Sequence, residues 1–210
     1  MEFEFLITAF VTLFVIIDPI GMTPLFVAMT QGMSTAKRRV IALRSCVTGA
    51  LLLILFAGFG DAVLGFVGIS FPAFRIAGGI LLFLTALEML FSRRSQRRQD
   101  QVEEDESEED PNDDPSIFPL AIPLISGPGS ITTVILLTGQ QPGWEGFVSI
   151  IAVMLFVIAI VFALFLAAGM LERVLGKTGI NVVTRLLGML LAALAVQFVL
   201  DGLRGFGIAG

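Results

Sequence analysis

The chain has 210 residues, of which 56% are hydrophobic, and its formal net charge is −5 at pH 7. Its apolar residues are massed in runs of about twenty, the length that spans roughly 30 Å of hydrocarbon, and this excludes an ordinary soluble domain. The absence of histidine and the single cysteine, Cys46, exclude a disulfide framework within the chain and leave almost no ligands for zinc. We therefore predict an integral, all-α membrane protein without a metal site.

The chain opens with an acidic segment, MEFEF, which leads directly into an apolar run. A secretory signal peptide begins with basic residues and ends in a small-residue cleavage site, and neither is visible here. We therefore expect the first apolar run to stay in the membrane as a helix.

Six apolar runs are long enough to cross a bilayer, and we predict a membrane-spanning helix in each. They cover residues 5–29, 41–67, 71–91, 117–138, 147–170 and 182–203. The chain then divides into a three-helix unit at 1–91, an acidic linker at 92–116 and a second three-helix unit at 117–210. Ten of the eighteen acidic residues lie between Asp100 and Asp114, so we interpret the linker as a disordered cytoplasmic segment that accounts for the net charge.

Lysine and arginine cluster at alternate connections between the predicted spans. They lie at 37–44 around the first connection, at 93–98 after the third span and at 173–177 after the fifth span. The second and fourth connections contain neither residue. Because cytoplasmic loops hold the excess of positive charge, we expect the odd connections in the cytoplasm and both termini outside the cell membrane, in the periplasm.

Three pairs of segments recur in the same order in the two halves of the chain. VLGFVGIS (63–70) matches VLGKTGIN (174–181), and PIGMTP (19–24) matches PLISGP (123–128) at a separation of 104. The third pair is FRIAGGILLFL and TRLLGMLLAAL. An odd number of spans in each half forces the second copy to enter the membrane from the opposite side. We therefore predict six transmembrane helices arranged as two inverted three-helix repeats, as in many secondary transporters.

The first and fourth spans contain residues that a simple membrane helix avoids. FVIIDPIGMTPLF (14–26) places an acid, two prolines and a glycine within seven positions, and FPLAIPLISGPGSITT (118–133) carries three prolines and two glycines. Proline removes a helical N–H, and irregular backbone is tolerable in a membrane only when protein encloses it or it lines a wet cavity. We predict that helices 1 and 4 are broken around a binding site at the midplane. The alternative is that the prolines only kink two helices for packing.

The two broken helices would offer opposite partial charges to a ligand. Freed N–H groups at the start of a half-helix favour a carboxylate, whereas freed carbonyls and an acid favour an ammonium group or a cation. Together they predict a site for a small zwitterion. The candidate substrate-binding residues are Asp18, Pro19, Gly21, Thr23, Pro24, Pro123, Ser126, Gly127, Pro128, Gly129 and Thr132.

Several of these residues have a second interpretation. Asp18 could couple transport to a proton, or it could cap the half-helix that follows it. The hydroxyl groups, that of Thr133 included, could bind the ligand or only bond back to their own helix.

The third repeated pair aligns Arg75 with Arg185 and Gly78 with Gly188. The two arginines could gate opposite sides of the membrane or neutralise a carboxylate; the alternative is an interfacial anchor that reaches lipid phosphates. We interpret the two glycines, together with Gly79, as sites of close packing between helices.

Signature segments of the MarC family resemble three stretches of this chain: FVIIDPIGMTPLF, FRIAGGILLFLTALEML and PLAIPLISGPGSITT. The family is a small six-span group of bacteria and archaea, also described as neutral amino acid transporters, within the wider LysE-like superfamily. The resemblance covers all of the chain except the acidic linker, and its motifs match Asp18-Pro19-x-Gly21-x-x-Pro24 and Pro123 with Gly127-Pro128-Gly129. It implies secondary transport of small neutral amino acids, typically glycine and alanine, in the inner membrane.

We expect a secondary transporter that is coupled to H⁺ or Na⁺, needs no cofactor and is not an enzyme. The alternatives are a passive channel, or an ion or drug exporter, that uses the same broken-helix cavity. An intramembrane enzyme ranks last, because it needs a nucleophile–base pair or paired acids and only Asp18 lies at the midplane. The expected partners are a small zwitterionic amino acid and the lipid bilayer, with no nucleic acid; a homodimer is one option.

Overall fold

The computed structural model describes residues 3–91, 93, 115–141 and 143–207, and within these ranges every regular element is a helix. The described helices are α1 Phe3–Ile17, α2 Pro19–Met29, α3 Thr35–Val67, α4 Phe71–Leu90, α5 Ser116–Ile125, α6 Pro128–Gln140, α7 Trp144–Leu166 and α8 Ala168–Gly205. Nearly all of the acidic linker predicted at 92–116 lies outside the described residues.

Five helical stretches of the described chain are long and apolar enough to cross a membrane. They are Phe3–Met29, Thr35–Gly60, Phe71–Leu90, Trp144–Leu166 and Thr178–Gly205. The consecutive helices α5 and α6 make a sixth crossing if they count as one span, with a bend of 54° at their junction. The prediction of an all-α membrane protein with several spanning helices is confirmed.

A serine cap sets where the long helix α3 begins. The side chain of Ser34 accepts a hydrogen bond from the N–H of Lys37 at 3.3 Å. The apolar pattern predicts a span from residue 41, whereas α3 begins at Thr35, because the cap starts the helix in polar residues before the apolar run. The helix ends at Val67, and Gly68 after it has a φ of 79°, the left-handed conformation typical of a helix C-terminus.

Helices α4 and α8 form the most extensive helix pair and run antiparallel. At one end, a Cβ on Gly202 would lie 2.9 Å from the carbonyl oxygen of Pro72. At the other end, a Cβ on Gly188 would lie 3.2 Å from the carbonyl oxygen of Ala86. Small residues let the two backbones approach this closely, so the interpretation of Gly188 as a close-packing site is confirmed.

The four short helices α1, α2, α5 and α6 lie between the long ones. α1 packs against α7 and α5 against α3, while α2 packs against α7 and α8, and α6 against α3 and α4. Buried apolar residues at the ends of α1 and α5, among them Ile16, Ile17 and Ile125, belong to the core. Large apolar side chains such as Phe59 in α3 and Phe156 in α7 are exposed, as expected for a surface that faces lipid.

Helices α7 and α8 each carry one local feature at their start. Trp144 begins α7, is 76% exposed and stacks on Phe147 with 5.9 Å between the ring centroids. An exposed tryptophan at the end of a span is typical of the membrane–water interface. In α8, Gly176 has φ 61° and ψ 175°, so the helix is broken there and only Thr178–Gly205 forms the span.

Replacing Gly79 of α4 with alanine is expected to lower the melting temperature of the purified protein. A Cβ at Gly79 would lie 2.8 Å from the carbonyl oxygen of Ala195, so α4 and α8 would have to separate, and overpacking of this kind costs about 1–3 kcal/mol. Gly58 of α3 is the matched control, because a Cβ there meets nothing within 4 Å. Equal melting temperatures for Gly79→Ala and Gly58→Ala in the same detergent would contradict the close packing of α4 and α8.

Candidate functional site

The first membrane span is interrupted at Asp18. α1 ends at Ile17 and α2 begins at Pro19, and Asp18 between them has φ 57° and ψ 63°, the left-handed conformation. In the described chain it is the only residue other than glycine with positive φ, and aspartate tolerates this conformation because its short side chain bonds locally. Its Oδ1 accepts a hydrogen bond from the N–H of Gly21 at 3.1 Å and thereby caps α2. The residue is 1% exposed.

The residues that follow Asp18 suit this cap. Pro19 is buried and occupies the first helical position, where a missing N–H is no loss. A Cβ on Gly21 would collide with the Asp18 carboxylate, so a glycine leaves room for the cap. The hydroxyl of Thr23 donates to the carbonyl of Pro19 at 3.0 Å and is therefore satisfied by its own helix. Pro24 lies inside α2 and is half-buried. The capping role considered for Asp18 is thus present in the structure.

The fourth predicted span is interrupted over a longer stretch. α5 has non-helical dihedral angles at Phe118 and Ile122, and each of these residues precedes a proline that disfavours the helical conformation. After α5 ends at Ile125, the backbone N–H and the hydroxyl of Ser126 both donate to the carbonyl of Ala121, at 2.9 and 2.7 Å. The hydroxyl of Ser126 is therefore satisfied within its own segment.

The start of α6 has no side-chain cap. Gly127 occupies the cap position, and a Cβ there would lie 2.5 Å from the carbonyl oxygen of Pro123, so a capping serine or aspartate does not fit. Pro128 takes the first helical position and is exposed, and Gly129 after it is half-buried. The cap residue gives the first-turn N–H groups no side-chain acceptor, and such a helix start favours an anion.

The two interruptions lie against each other. A Cβ on Gly129 would lie 2.8 Å from Cδ1 of Ile16, which is two residues before Asp18. The end of α1 therefore meets the start of α6, and the two helices pack together. This brings the chain two residues before Asp18 to the positive end of the α6 dipole.

The starts of α2 and α6 do not fall at equivalent positions in the alignment of the repeated segments. The match of 19–24 with 123–128 aligns Pro19 with Pro123, which lies inside α5. That alignment is wrong at the helix starts, because α2 begins at Pro19 and α6 begins at Pro128, 109 positions later. The corrected separation is close to that between Arg75 and Arg185, which are 110 positions apart.

Thr133 is the polar side chain that stands out in α6. It is fully buried, and in the described part of the chain its Oγ1 has no hydrogen-bond partner. It shares this state with Thr184 of α8, whereas the hydroxyls of Thr12, Ser45 and Thr138 bond back to a carbonyl of their own helix. The candidate Thr132 instead places its methyl group at the packing site of Gly78, 2.7 Å from the position of a Cβ. The rotation of α6 about its axis, which the motif alone does not reveal, therefore makes the hydroxyl of Thr133 a better candidate for a ligand contact than that of Thr132.

The structure places the two predicted arginines in different surroundings. Arg75 is half-buried, its guanidinium carbon lies 5.0 Å from the centre of the Phe71 ring, and its Nε is buried without a hydrogen-bond partner in the described chain. Arg185 is exposed. The repeat predicts equivalent roles for the two residues, whereas in the structure only Arg75 lies partly inside the protein.

Comparisons with known proteins give a consistent result. The model of the MarC family of integral membrane proteins matches residues 3–206. A UPF0056 membrane protein of Aquifex aeolicus is 37% identical over 198 residues, which is 94% of this chain and 92% of that protein. A UPF0056 membrane protein of Methanocaldococcus jannaschii is 35% identical over 206 residues, 98% of each chain. The UPF0056 membrane protein YhcE of Escherichia coli is 35% identical over 197 residues, 93% of this chain and 90% of that protein.

No solved structure matches the chain. The family match extends from the first residue of α1 to the residue after α8, so it includes both helix interruptions and the α4–α8 pair. The relatives cover nearly the full length of this chain at more than one third identity. The chain therefore belongs to the MarC family of integral membrane proteins.

Proposed function

We propose that this protein is a secondary transporter of small neutral amino acids, such as glycine or alanine, with its substrate site where the two interrupted helices meet. The observation that carries this proposal is the contact of Gly129 with Ile16. It brings the chain just before Asp18 against the start of α6, and a buried carboxylate near an uncapped helix start would be complementary to the two charges of a zwitterion.

The site residues suggest how a small amino acid would be oriented. The ammonium group would lie near the carboxylate of Asp18, and the carboxylate of the substrate would lie at the first turn of α6. Ser130 in that turn is 3% exposed, and Thr133 one turn later offers a hydroxyl without a partner in the described chain. Because these residues are enclosed by packed helices, the site suits a ligand with a very small side chain.

The pairing of the helices supports an architecture of two inverted repeats. If α1–α4 are matched in order with α5–α8, α1 corresponds to α5 and α3 corresponds to α7. The contact of α1 with α7 then corresponds to the contact of α5 with α3. In the same way, the contact of α2 with α8 corresponds to the contact of α6 with α4. The antiparallel course of α4 and α8 and the corrected separation of the helix starts, 109 positions, agree with this scheme. Transport would then proceed by rocking of one half against the other around the site.

Charge supports the direction of insertion that we propose. Lys37, Arg38 and Arg39 occupy the first turns of α3, and the basic cluster at 93–98 follows α4 in the sequence. Two successive spans would put the start of α3 and the end of α4 on the same side of a membrane. Under the positive-inside rule this side is cytoplasmic, and both termini lie on the outer side of the inner membrane. The buried position of Asp18, which is 1% exposed, and of Thr133, which is 0% exposed, favours a transporter over an open channel.

Purified protein in proteoliposomes is expected to accumulate labelled glycine and alanine when a pH or sodium gradient is imposed. The gradient that drives accumulation identifies the coupling ion. Equilibration without accumulation under either gradient would contradict coupling and indicate a facilitator. An absence of flux for both amino acids, in vesicles that hold the folded protein, would contradict the proposed substrate.

The variant Asp18→Asn is expected to lose gradient-driven accumulation and to remain folded. Asparagine also tolerates the left-handed conformation and keeps an oxygen that accepts the N–H of Gly21, so the negative charge is removed while the cap of α2 is kept. The measurement is uptake with and without a gradient, beside the melting temperature of the variant. Accumulation equal to that of the wild type would leave Asp18 with its capping role alone.

The variant Thr133→Val is expected to weaken substrate binding by about 2- to 10-fold, since a neutral hydrogen bond contributes about 0.5–1.5 kcal/mol. It should also raise the melting temperature of the substrate-free protein, because a buried hydroxyl without a partner is replaced by a methyl group. Thr85→Val is the matched control, since the hydroxyl of Thr85 donates to the carbonyl of Leu81 at 3.0 Å within α4. Unchanged binding in Thr133→Val would remove this residue from the site.

A further inference from the structure

Arg75 lies on the face of α4 that packs against α6. One turn before it, Phe71 fills the space beside Gly139, where a Cβ would collide with the aromatic ring. One turn after it, a Cβ on Gly78 would lie 2.7 Å from side-chain atoms of Thr132 and of Leu136. Residues four and three positions away share a helix face with Arg75, so its side chain leaves α4 toward α6 and not toward lipid.

Gln140, the last residue of α6, brings a second donor to the same place. Its Nε2 is buried and, like the Nε of Arg75, has no hydrogen-bond partner in the described chain. Gln140 follows Gly139, which packs against the ring of Phe71, and the guanidinium of Arg75 lies 5.0 Å from the centre of that ring. The two unpartnered donors therefore lie on helices that meet at one aromatic side chain, at the end of the bundle where α6 ends and α4 begins.

A carboxylate is the partner that this pair of donors suits. Guanidinium groups keep their charge, and their N–H donors match the two oxygens of a carboxylate. The acid at the adjoining end of α8, Asp201, already accepts hydrogen bonds from Gln197 at 2.8 Å and from Arg204 at 3.2 Å. Buried donors without a partner are rare in folded proteins, so these two donors call for an acceptor, and a carboxylate ligand can supply one.

We propose that Arg75 and Gln140 form a second, outer site that binds the carboxylate of the amino acid on its way to or from the core. This inference rests on the proposed function for the identity of the ligand. Gln140 lies two turns after Thr133 on the same face of α6, a distance of about 10 Å along the helix axis. Leu136 and Leu137, both buried, lie between them and separate the outer site from the inner one.

The test is the melting temperature of the full chain in neutral detergent, titrated with sodium acetate, glycine or methylammonium chloride at constant ionic strength. Acetate carries only the carboxylate and methylammonium only the cation, so acetate is expected to raise the melting temperature, and the part of this stabilisation that depends on Arg75 reports on the outer site. In Arg75→Gln the apparent dissociation constant for acetate should rise at least about ten-fold, as expected for the loss of a charge-assisted hydrogen bond. In Gln140→Leu, which is expected to fold normally at its helix end, the increase should be several-fold.

Arg204→Gln is the matched control, because it removes a positive charge from the same end of the bundle but from an exposed side chain. It should leave the acetate titration unchanged. No stabilisation of the wild type by acetate, or equal stabilisation of Arg75→Gln and the wild type, would overturn the outer site. So would stabilisation by phosphatidylglycerol micelles that depends on Arg75 while acetate has no effect, since the ligand would then be a lipid phosphate. Acetate binding that depends on Arg75, in a protein that moves no amino acid in vesicles, would support the site and refute the proposed transport.

Discussion

The hydrocarbon of a membrane offers no water to a broken helix, so every interruption of a span must be enclosed by protein or filled by a ligand. Most residues around the two interruptions of this chain are buried, and the short helices pack against α3, α4, α7 and α8. The same enclosure explains why Asp18 is tolerated. Its carboxylate bonds to the N–H of Gly21, and thereby supplies an acceptor that the start of α2 would otherwise lack.

The starts of α2 and α6, one in each half of the chain, differ in how their first N–H groups are capped. At the start of α2 a glycine makes room for an acidic cap, whereas at the start of α6 the carbonyl of Pro123 leaves no room for a side chain on Gly127. One helix start is therefore closed by a negative charge and the other keeps its positive end uncapped. This difference in charge at the two helix starts is the basis of the zwitterion site that we propose.

The sequence predicts the interruptions because proline and glycine act locally, but it does not predict their register. The sequences PIGMTP and PLISGP align with each other, yet α6 begins at Pro128, which is the last residue of the second segment. The proline at which a helix starts depends on the packing of the whole segment. The choice between Thr132 and Thr133 likewise depends on the rotation of α6, which turns Thr132 toward Gly78 and buries the hydroxyl of Thr133. Gln140 carries no motif at all. It becomes notable only because the structure leaves its amide nitrogen buried without an acceptor in the described chain.

Trp144 provides the molecule with an optical reporter of its own. The chain contains one tryptophan and no tyrosine, so its intrinsic fluorescence comes almost entirely from a single indole ring. That ring begins α7 close to the turn where the backbone of Gln141 packs against Gly146, and it therefore lies near the end of α6. The emission spectrum of the unlabelled protein follows the polarity of this corner, in detergent or in lipid, without a dye or an engineered cysteine.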